Sequence, residues 1–167
     1  MKRIVTGGAP ISRDDVERMK QVAHNAEILI LYGSTEVEPM AHIESSEMLA
    51  QTKDQDPEIV EIGVNVGHMD AGLQYRFIKI NSEPVYVHQV EDWKKIICAK
   101  DEIGELIVQG EHVCEKYFNN EEAFFRAKIR DEEGKVWHRT GDLGKIDERN
   151  NLWIVGRVHN AILRDGK

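Results

Sequence analysis

Tyr32-Gly33-Ser34-Thr35-Glu36 stands directly behind the apolar run Ile28-Leu29-Ile30-Leu31. Four consecutive branched apolar residues predict a strand buried on both faces. A turn at Gly33 then presents a hydroxyl and a carboxylate just past the strand's carboxyl end, where ligands bind in open α/β sheets. The hydroxyl can donate to an anionic oxygen, and the carboxylate is a hard oxygen ligand for a small cation. A second polar element follows far downstream, His138-Arg139-Thr140-Gly141-Asp142, and then Gly156-Arg157. Singly, each has a plainer reading. The first is a strand end with a helix cap, Thr-Gly-Asp is a tight turn, and Arg157 is a surface ion pair worth ~0–1 kcal/mol.

The elements that must position these groups differ along the chain. Ile4 and Val5 predict a short strand entering the turn Thr6-Gly7-Gly8-Ala9-Pro10, and Ser12 with Asp15 forms a capping box. Val16, Met19, Val22 and Ala23 repeat at helical spacing, so a helix over 13–24 leads into the strand 28–31. This strand–helix–strand unit belongs to a parallel sheet. A short helix is expected over 43–50 and a polar, acidic loop over 52–62, while 63–72 reads as a loop with no assigned role. Beyond it Leu73–Ile80, Glu105–Val108, Val136–Arg139 and Leu152–Val155 predict short strands bounded by Gly104, Gly110, Gly134, Gly141 and Gly156. A helix over 120–129, capped by Asn120, interrupts them, with Phe125 and Ile129 one turn apart. Trp137, Trp153, Phe77 and Phe125 are expected in the core, and Asp131-Glu132-Glu133 in a solvated turn.

The fold class is therefore α/β followed by mostly β: a partial parallel unit joined to a small antiparallel sheet or distorted barrel. Residues 1–62 end an α/β subdomain, 63–155 form a β-rich one, and 156–167 begin a hinge. Two strands and one helix cannot close a parallel sheet covered on both faces, and the chain halts at Leu163-Arg164-Asp165-Gly166-Lys167. Both features are those of a piece of a larger domain.

Composition narrows the function. The 167 residues carry 22 basic and 30 acidic side chains, a net charge of −8. That balance speaks against a nucleic-acid surface, but not against a nucleotide held by backbone N–H groups and a metal ion. Apolar stretches are far shorter than the ~20 residues of a membrane span, and the N-terminus lacks the apolar core of a signal peptide. Cys98 and Cys114 form no CxxC pair, so a reduced, cytoplasmic protein is expected. The seven histidines are dispersed without an HExxH arrangement, and no zinc site is expected from them.

Thr6-Gly7-Gly8-Ala9-Pro10, Tyr32–Glu36, Gly104-Glu105-Leu106, His138-Arg139-Thr140-Gly141-Asp142-Leu143-Gly144 and Gly156-Arg157, in this order and spacing, resemble the adenylate-forming superfamily. Its members include acyl-CoA synthetases, peptide-synthetase adenylation domains and luciferases. Residues 111–118 and 128–142 look most like fatty-acid-activating ligases, including those of bacterial olefin biosynthesis. The resemblance implies attack of a substrate carboxylate on the α-phosphorus of ATP, then transfer of the acyl group to a thiol such as coenzyme A.

The same resemblance implies the site. Thr35 and Glu36 would be catalytic, Thr35 donating to an α-phosphate oxygen and Glu36 holding Mg²⁺. Tyr32 would stack on adenine, with Gly7, Gly8, Ala9, Pro10, Gly33 and Ser34 lining the nucleotide. Asp142 would accept from both ribose hydroxyls, and Arg157 would donate to ribose or phosphate. The partners are then a small carboxylic acid and a nucleotide, with ATP or AMP, Mg²⁺ and coenzyme A as ligands.

Three departures qualify it. No Gly/Ser/Thr-rich phosphate loop with its lysine is present, since Gly134-Lys135, Gly144-Lys145 and Gly166-Lys167 lack that pattern. The family's C-terminal domain with its lysine should follow residue 167. His159 stands where the family has an aspartate two residues after the arginine matching Arg157. The expectation is that these 167 residues alone do not catalyse adenylation. Two other readings remain: a non-catalytic nucleotide-binding or regulatory module, and a metal-dependent hydrolase using Glu36, Asp142 and nearby histidines.

Overall fold

Ser12 begins the first helix as the capping pattern requires. Its hydroxyl oxygen accepts from the Asp15 N–H at 3.2 Å, and its own N–H donates to the Asp15 carboxylate at 2.9 Å. Two orphan N–H groups of the helix start are satisfied reciprocally. The Ser12 hydroxyl, and secondly the Ser12 N–H, donate to the Asp15 carboxylate and hold it below the usual carboxylate range.

The computed structural model describes residues 2–50 and 63–162. The chain forms two compact units, one of Met1–Ala71 with Ile146–Val155, the other of Gly72–Lys145 with Gly156–Lys167. The expected loop 52–62, the expected boundary at residue 62 and the closing segment 163–167 lie outside the described residues.

The first unit contains β1 (Arg3–Gly7), α1 (Arg13–Val22), β2 (Glu27–Ser34), β3 (Val37–Glu44), α2 (Ser45–Ala50), β4 (Val64–Met69) and most of β9 (Leu152–Arg157). β1 and β2 run parallel; β2–β3, β3–β4 and β4–β9 are antiparallel. Ile28, Ile30, Ile43, Val16 and Met48 form its aliphatic core. Ile28 and Ile30 are fully buried and Leu29 and Leu31 only half-buried, so the two faces of β2 are not equally covered. The Glu27 carboxylate accepts from the Ser46 N–H at 2.8 Å and the Ser45 hydroxyl at 2.7 Å at the start of α2. These bonds lower its pKa.

The second unit contains β5 (Leu73–Ile78), α3 (Val90–Ile96), β6 (Gly104–Gly110), α4 (Glu121–Ala127), β7 (Lys128–Arg130), β8 (Val136–Ile146, its last residue counted with the first unit) and a 3-10 turn at Val158–Asn160. β5, β6 and β8 pair antiparallel in that order, with β7 on β8, in an open sheet and not a barrel. Its core is aromatic at the centre: Trp93 and Trp137 meet edge to face at 5.6 Å, and the Arg76 guanidinium lies over both rings. The two indole N–H groups donate to Glu132 and Asp131, each at 3.0 Å. The acidic turn therefore satisfies buried donors as well as facing solvent.

Several elements differ from expectation. The chain does not turn at Gly33 but two residues later, and the next element is β3. Pro39 hid that strand, because proline lacks the N–H a ladder uses. β4 occupies the segment expected to be a loop, and α3 was not anticipated. The helix over 43–50 starts only at Ser45, since Ile43 belongs to β3. The helix over 13–24 stops at Val22 and that over 120–129 at Ala127, with Ile129 buried in β7. Asn120 does cap it, accepting from the Ala123 N–H at 3.0 Å. Trp137 and Trp153 are buried, whereas Phe125 is 47% exposed beside Phe124 and Tyr86.

Candidate functional site

In the first unit, the parallel pairing of β1 with β2 makes their carboxyl ends coincide. Gly7 lies opposite Leu31, so Gly8-Ala9-Pro10 and Tyr32–Glu36 continue from the same end of the pair. Gly7 is required there: a Cβ would stand 2.6 Å from the Leu31 carbonyl oxygen. β2 extends through Tyr32, Gly33 and Ser34, and Ser34 pairs with Val37 across a two-residue hairpin whose tip is Thr35-Glu36.

Beside that hairpin the ladder breaks register. Tyr32 pairs with Ala41 and Ser34 with Val37, so two steps along β2 match four along β3. The extra residues include Pro39, whose missing N–H is tolerated in such a bulge. Gly33 lets the strands close, since a Cβ would sit 2.9 Å from the Val37 carbonyl oxygen. Thr35 is exposed, and Tyr32 and Glu36 are half-buried. Among the described residues, the Ser34 hydroxyl oxygen is buried without a hydrogen-bond partner.

In the second unit, β8 carries a matching irregularity. Glu105 pairs with Leu143 and Ile107 with Arg139, so two steps along β6 match four along β8. The surplus lies in Thr140-Gly141-Asp142. Gly141 has φ +72°, a conformation glycine adopts without cost, and Gly141 lies inside the strand instead of ending it. The Thr140 hydroxyl donates to the Leu106 carbonyl at 2.8 Å and accepts from the Asp142 N–H at 3.0 Å. The Asp142 carboxylate, 7% exposed as a residue, accepts from Arg157 at 2.7 Å. Arg157 itself is exposed, as is His159 in the 3-10 turn that follows.

Beneath the bulge lies a buried ion pair that no role was assigned to from sequence. The Arg139 guanidinium donates to both oxygens of Glu105, one contact being 2.6 Å, and to the backbone carbonyls of Glu83 and Asn81. Glu105 also accepts from the Gly141 N–H at 3.3 Å. The signal was present in part: a charged residue set directly before Leu106-Ile107-Val108 in a strand must be paired if buried. Its partner is a matter of register, which composition does not reveal. Nearby, Lys128 is buried with its ammonium on the Cys114 carbonyl and over the Tyr117 ring. Burial, and secondly the Glu102 charge, push the Cys98 thiol up to about 11, so it is no nucleophile at neutral pH.

Among the described residues, no three His, Cys, Asp or Glu side chains gather into a cluster that could hold a metal ion. The donor set at Glu36 fits a different mode. Mg²⁺ is commonly held by one or two carboxylates together with substrate phosphates and waters, and Glu36 can supply the protein share. No helix among the described residues is long and apolar enough to cross a membrane.

The chain is 32% identical over 161 residues to an Olefin beta-lactone synthetase of Stenotrophomonas maltophilia, covering 93% of this chain and 28% of that protein. It is 30% identical over 166 residues to Peroxisomal OPC-8:0-CoA ligase 1 of Arabidopsis thaliana, covering 99% of this chain and 26% of that one. The chain thus spans little more than a quarter of these relatives' length. Among solved structures, O-succinylbenzoate coenzyme A synthetase of Bacillus subtilis in complex with ATP and magnesium ion shares the fold. Its TM-score is 0.66 at 21% identity, covering 99% of this chain and 28% of that one. The family profile described as AMP-binding enzyme matches residues 1–118, more than half of the sequence. The chain belongs to the AMP-binding enzyme family.

Proposed function

We propose that this chain supplies nucleotide contacts of an ATP-dependent ligase that activates a carboxylic acid as its acyl-adenylate. The observation that carries the reading is Asp142, a carboxylate projected from a strand bulge with Arg157 on one oxygen at 2.7 Å. A carboxylate offers about four lone-pair sites, the acceptor capacity that two ribose hydroxyls require. A fatty-acid-like substrate is part of the proposal, supported by 26% identity over 162 residues to Long-chain-fatty-acid--CoA ligase 1 of Saccharomyces cerevisiae. We further propose coenzyme A as the thiol acceptor. Two free cysteines suit work in the reducing cytoplasm.

In the reaction, an oxygen of the substrate carboxylate bonds to the α-phosphorus of ATP. The bond from that phosphorus to the bridging oxygen breaks, and pyrophosphate leaves with the electron pair. Little covalent work falls to the protein, so positioning and charge neutralisation dominate. Thr35 donates its hydroxyl to an α-phosphate oxygen, and Tyr32 offers its ring to adenine. Gly8, Ala9 and Pro10 follow β1, and Gly33 and Ser34 close β2; backbone and the Ser34 hydroxyl would meet the nucleotide there. Glu36 would hold Mg²⁺, which when bound offsets the phosphate charge. Asp142 would accept from ribose hydroxyls, and Arg157 would donate to ribose or phosphate.

Calorimetric titration with AMP tests the assignment. Hydrogen bonds to a charged group are worth ~1.5–3 kcal/mol, so Asp142→Ala and Asp142→Asn should each weaken AMP by about 10- to 100-fold. Unchanged affinity in both variants would overturn the ribose role and the reading built on it.

A further inference from the structure

We propose that Glu105 and Arg139 are positioning residues, whose buried ion pair sets the bulge that aims Asp142 at the ribose. The inference rests on the ribose role given to Asp142 above. Glu105 is 2% exposed and Arg139 8%, and neither has a place in the contacts expected for the nucleotide. Their hydrogen bonds nevertheless converge on the bulge. Arg139 is its last residue in register, opposite Ile107, and Glu105 is its first beyond, opposite Leu143. The Glu105 oxygen that accepts from the Gly141 N–H also accepts from the Arg139 Nε–H. One carboxylate therefore fixes the residue immediately before Asp142.

The guanidinium is itself held from the other side. Its remaining N–H groups bind the carbonyls of Glu83 and Asn81, in the segment between β5 and α3. Arginine's planar fork can serve two carbonyls and a carboxylate together, which a lysine ammonium cannot match in geometry. Thr140 ties the bulge to the Leu106 carbonyl, and its hydroxyl accepts the Asp142 N–H. Every backbone N–H named here on the bulge thus ends on a side chain fixed to β6. The arrangement removes the freedom that a surplus of two residues would otherwise give to the carboxylate.

The experiment compares binding of AMP with that of 2′,3′-dideoxy-AMP, which lacks both ribose hydroxyls, to the full chain and its variants. Wild type should prefer AMP by about 10-fold or more, from the same hydrogen bonds to a charged group. Glu105→Gln should erase most of that preference by weakening AMP while leaving the dideoxy nucleotide unchanged. Gly141→Ala provides the check if loss of a buried charge unfolds the protein. A Cβ there meets nothing within 4 Å, so the variant disturbs only the positive-φ backbone, and it should also erase the preference. Equal weakening of both nucleotides, or none, in Gly141→Ala and in any folded Glu105→Gln would overturn positioning while leaving Asp142 its role. Absence of a preference in wild type would instead overturn the ribose reading, and the inference with it.

Discussion

Among the described residues, the buried polar side chains of the first unit are neutral: Ser45, Asn65 and Asn151. Those of the second include Glu105, Lys128, Arg139 and Asp142, with His138 beside them. Both units place a candidate site segment next to a register break, yet they stabilise it differently. At Thr35-Glu36 the backbone does the work: a two-residue hairpin closes over Gly33, and an aliphatic core lies under β2. At Asp142 a side-chain network does it, because a bulge within an eleven-residue strand has no turn chemistry of its own to fix its tip. Buried charges cost several kcal/mol each unless paired and hydrogen-bonded. The second unit therefore depends on one ion pair in a way the first does not.

Removing one partner gives the largest effect. Arg139→Met leaves the Glu105 carboxylate buried and uncompensated, and should destabilise by ~3–5 kcal/mol. Glu105→Leu together with Arg139→Met removes both charges and should return most of that loss. Urea unfolding followed by tryptophan fluorescence reads it directly, since Trp93 and Trp137 both lie in the second unit. If the single variant costs under about 1 kcal/mol, as exposed pairs do, charge does not organise this unit and the comparison fails.

Features set by residues close in the chain were legible in the sequence, and those set by strand pairing were not. The capping box at Ser12, the Asn120 cap and the strands flanking the glycines depend on residues close in the chain, so spacing revealed them. The strand β3 was missed because Pro39 contradicts a ladder unless a bulge absorbs it, and a bulge is a property of two strands together. For the site, Tyr32–Glu36, Asp142 and Arg157 stand out as chemistry-bearing residues at turns. That Thr35-Glu36 is a hairpin tip, not the start of a helix, followed only from the register of β2 with β3. Glu105 and Arg139 were visible as letters of a motif. Their pairing, across 34 residues of sequence, needed the register of β6 with β8.

A smaller effect sharpens the contrast from the first unit, which has a charged group of its own in Asp147. Burial raises the pKa of this half-buried carboxyl, but hydrogen bonds from the Trp153 indole, from Asn151 and from the Arg149 N–H outweigh it and lower the value. The Trp153 bond is 2.8 Å long. A pKa depressed in the folded state contributes stability above the unfolded value, ~3.9 for Asp, and loses it as pH falls through the folded value. Asp147→Asn should therefore cost about 1 kcal/mol at neutral pH, and melting temperatures of variant and wild type should converge on acidification below about pH 4. A gap independent of pH would mean that packing of the side chain, not its charge, stabilises the turn.

The smallest effect is the most direct control on burial. Arg126 and Glu122 in α4 make a contact of 2.7 Å, close to the 2.6 Å of Arg139 and Glu105, but their side chains are 73% and 76% exposed against 7% and 2%. The groups and the closest separation are nearly the same, while burial and the number of hydrogen bonds differ. Water and salt screen the exposed pair, and holding two long side chains in one geometry costs entropy. Glu122→Gln should change stability by ~0.3–0.5 kcal/mol at most, the range for such helix pairs, and added salt should erase even that. Glu105→Gln should keep a cost several-fold larger at every salt concentration, because solvent ions do not reach it. Equal costs for the two substitutions would show that distance between the charges, not their burial, governs both pairs.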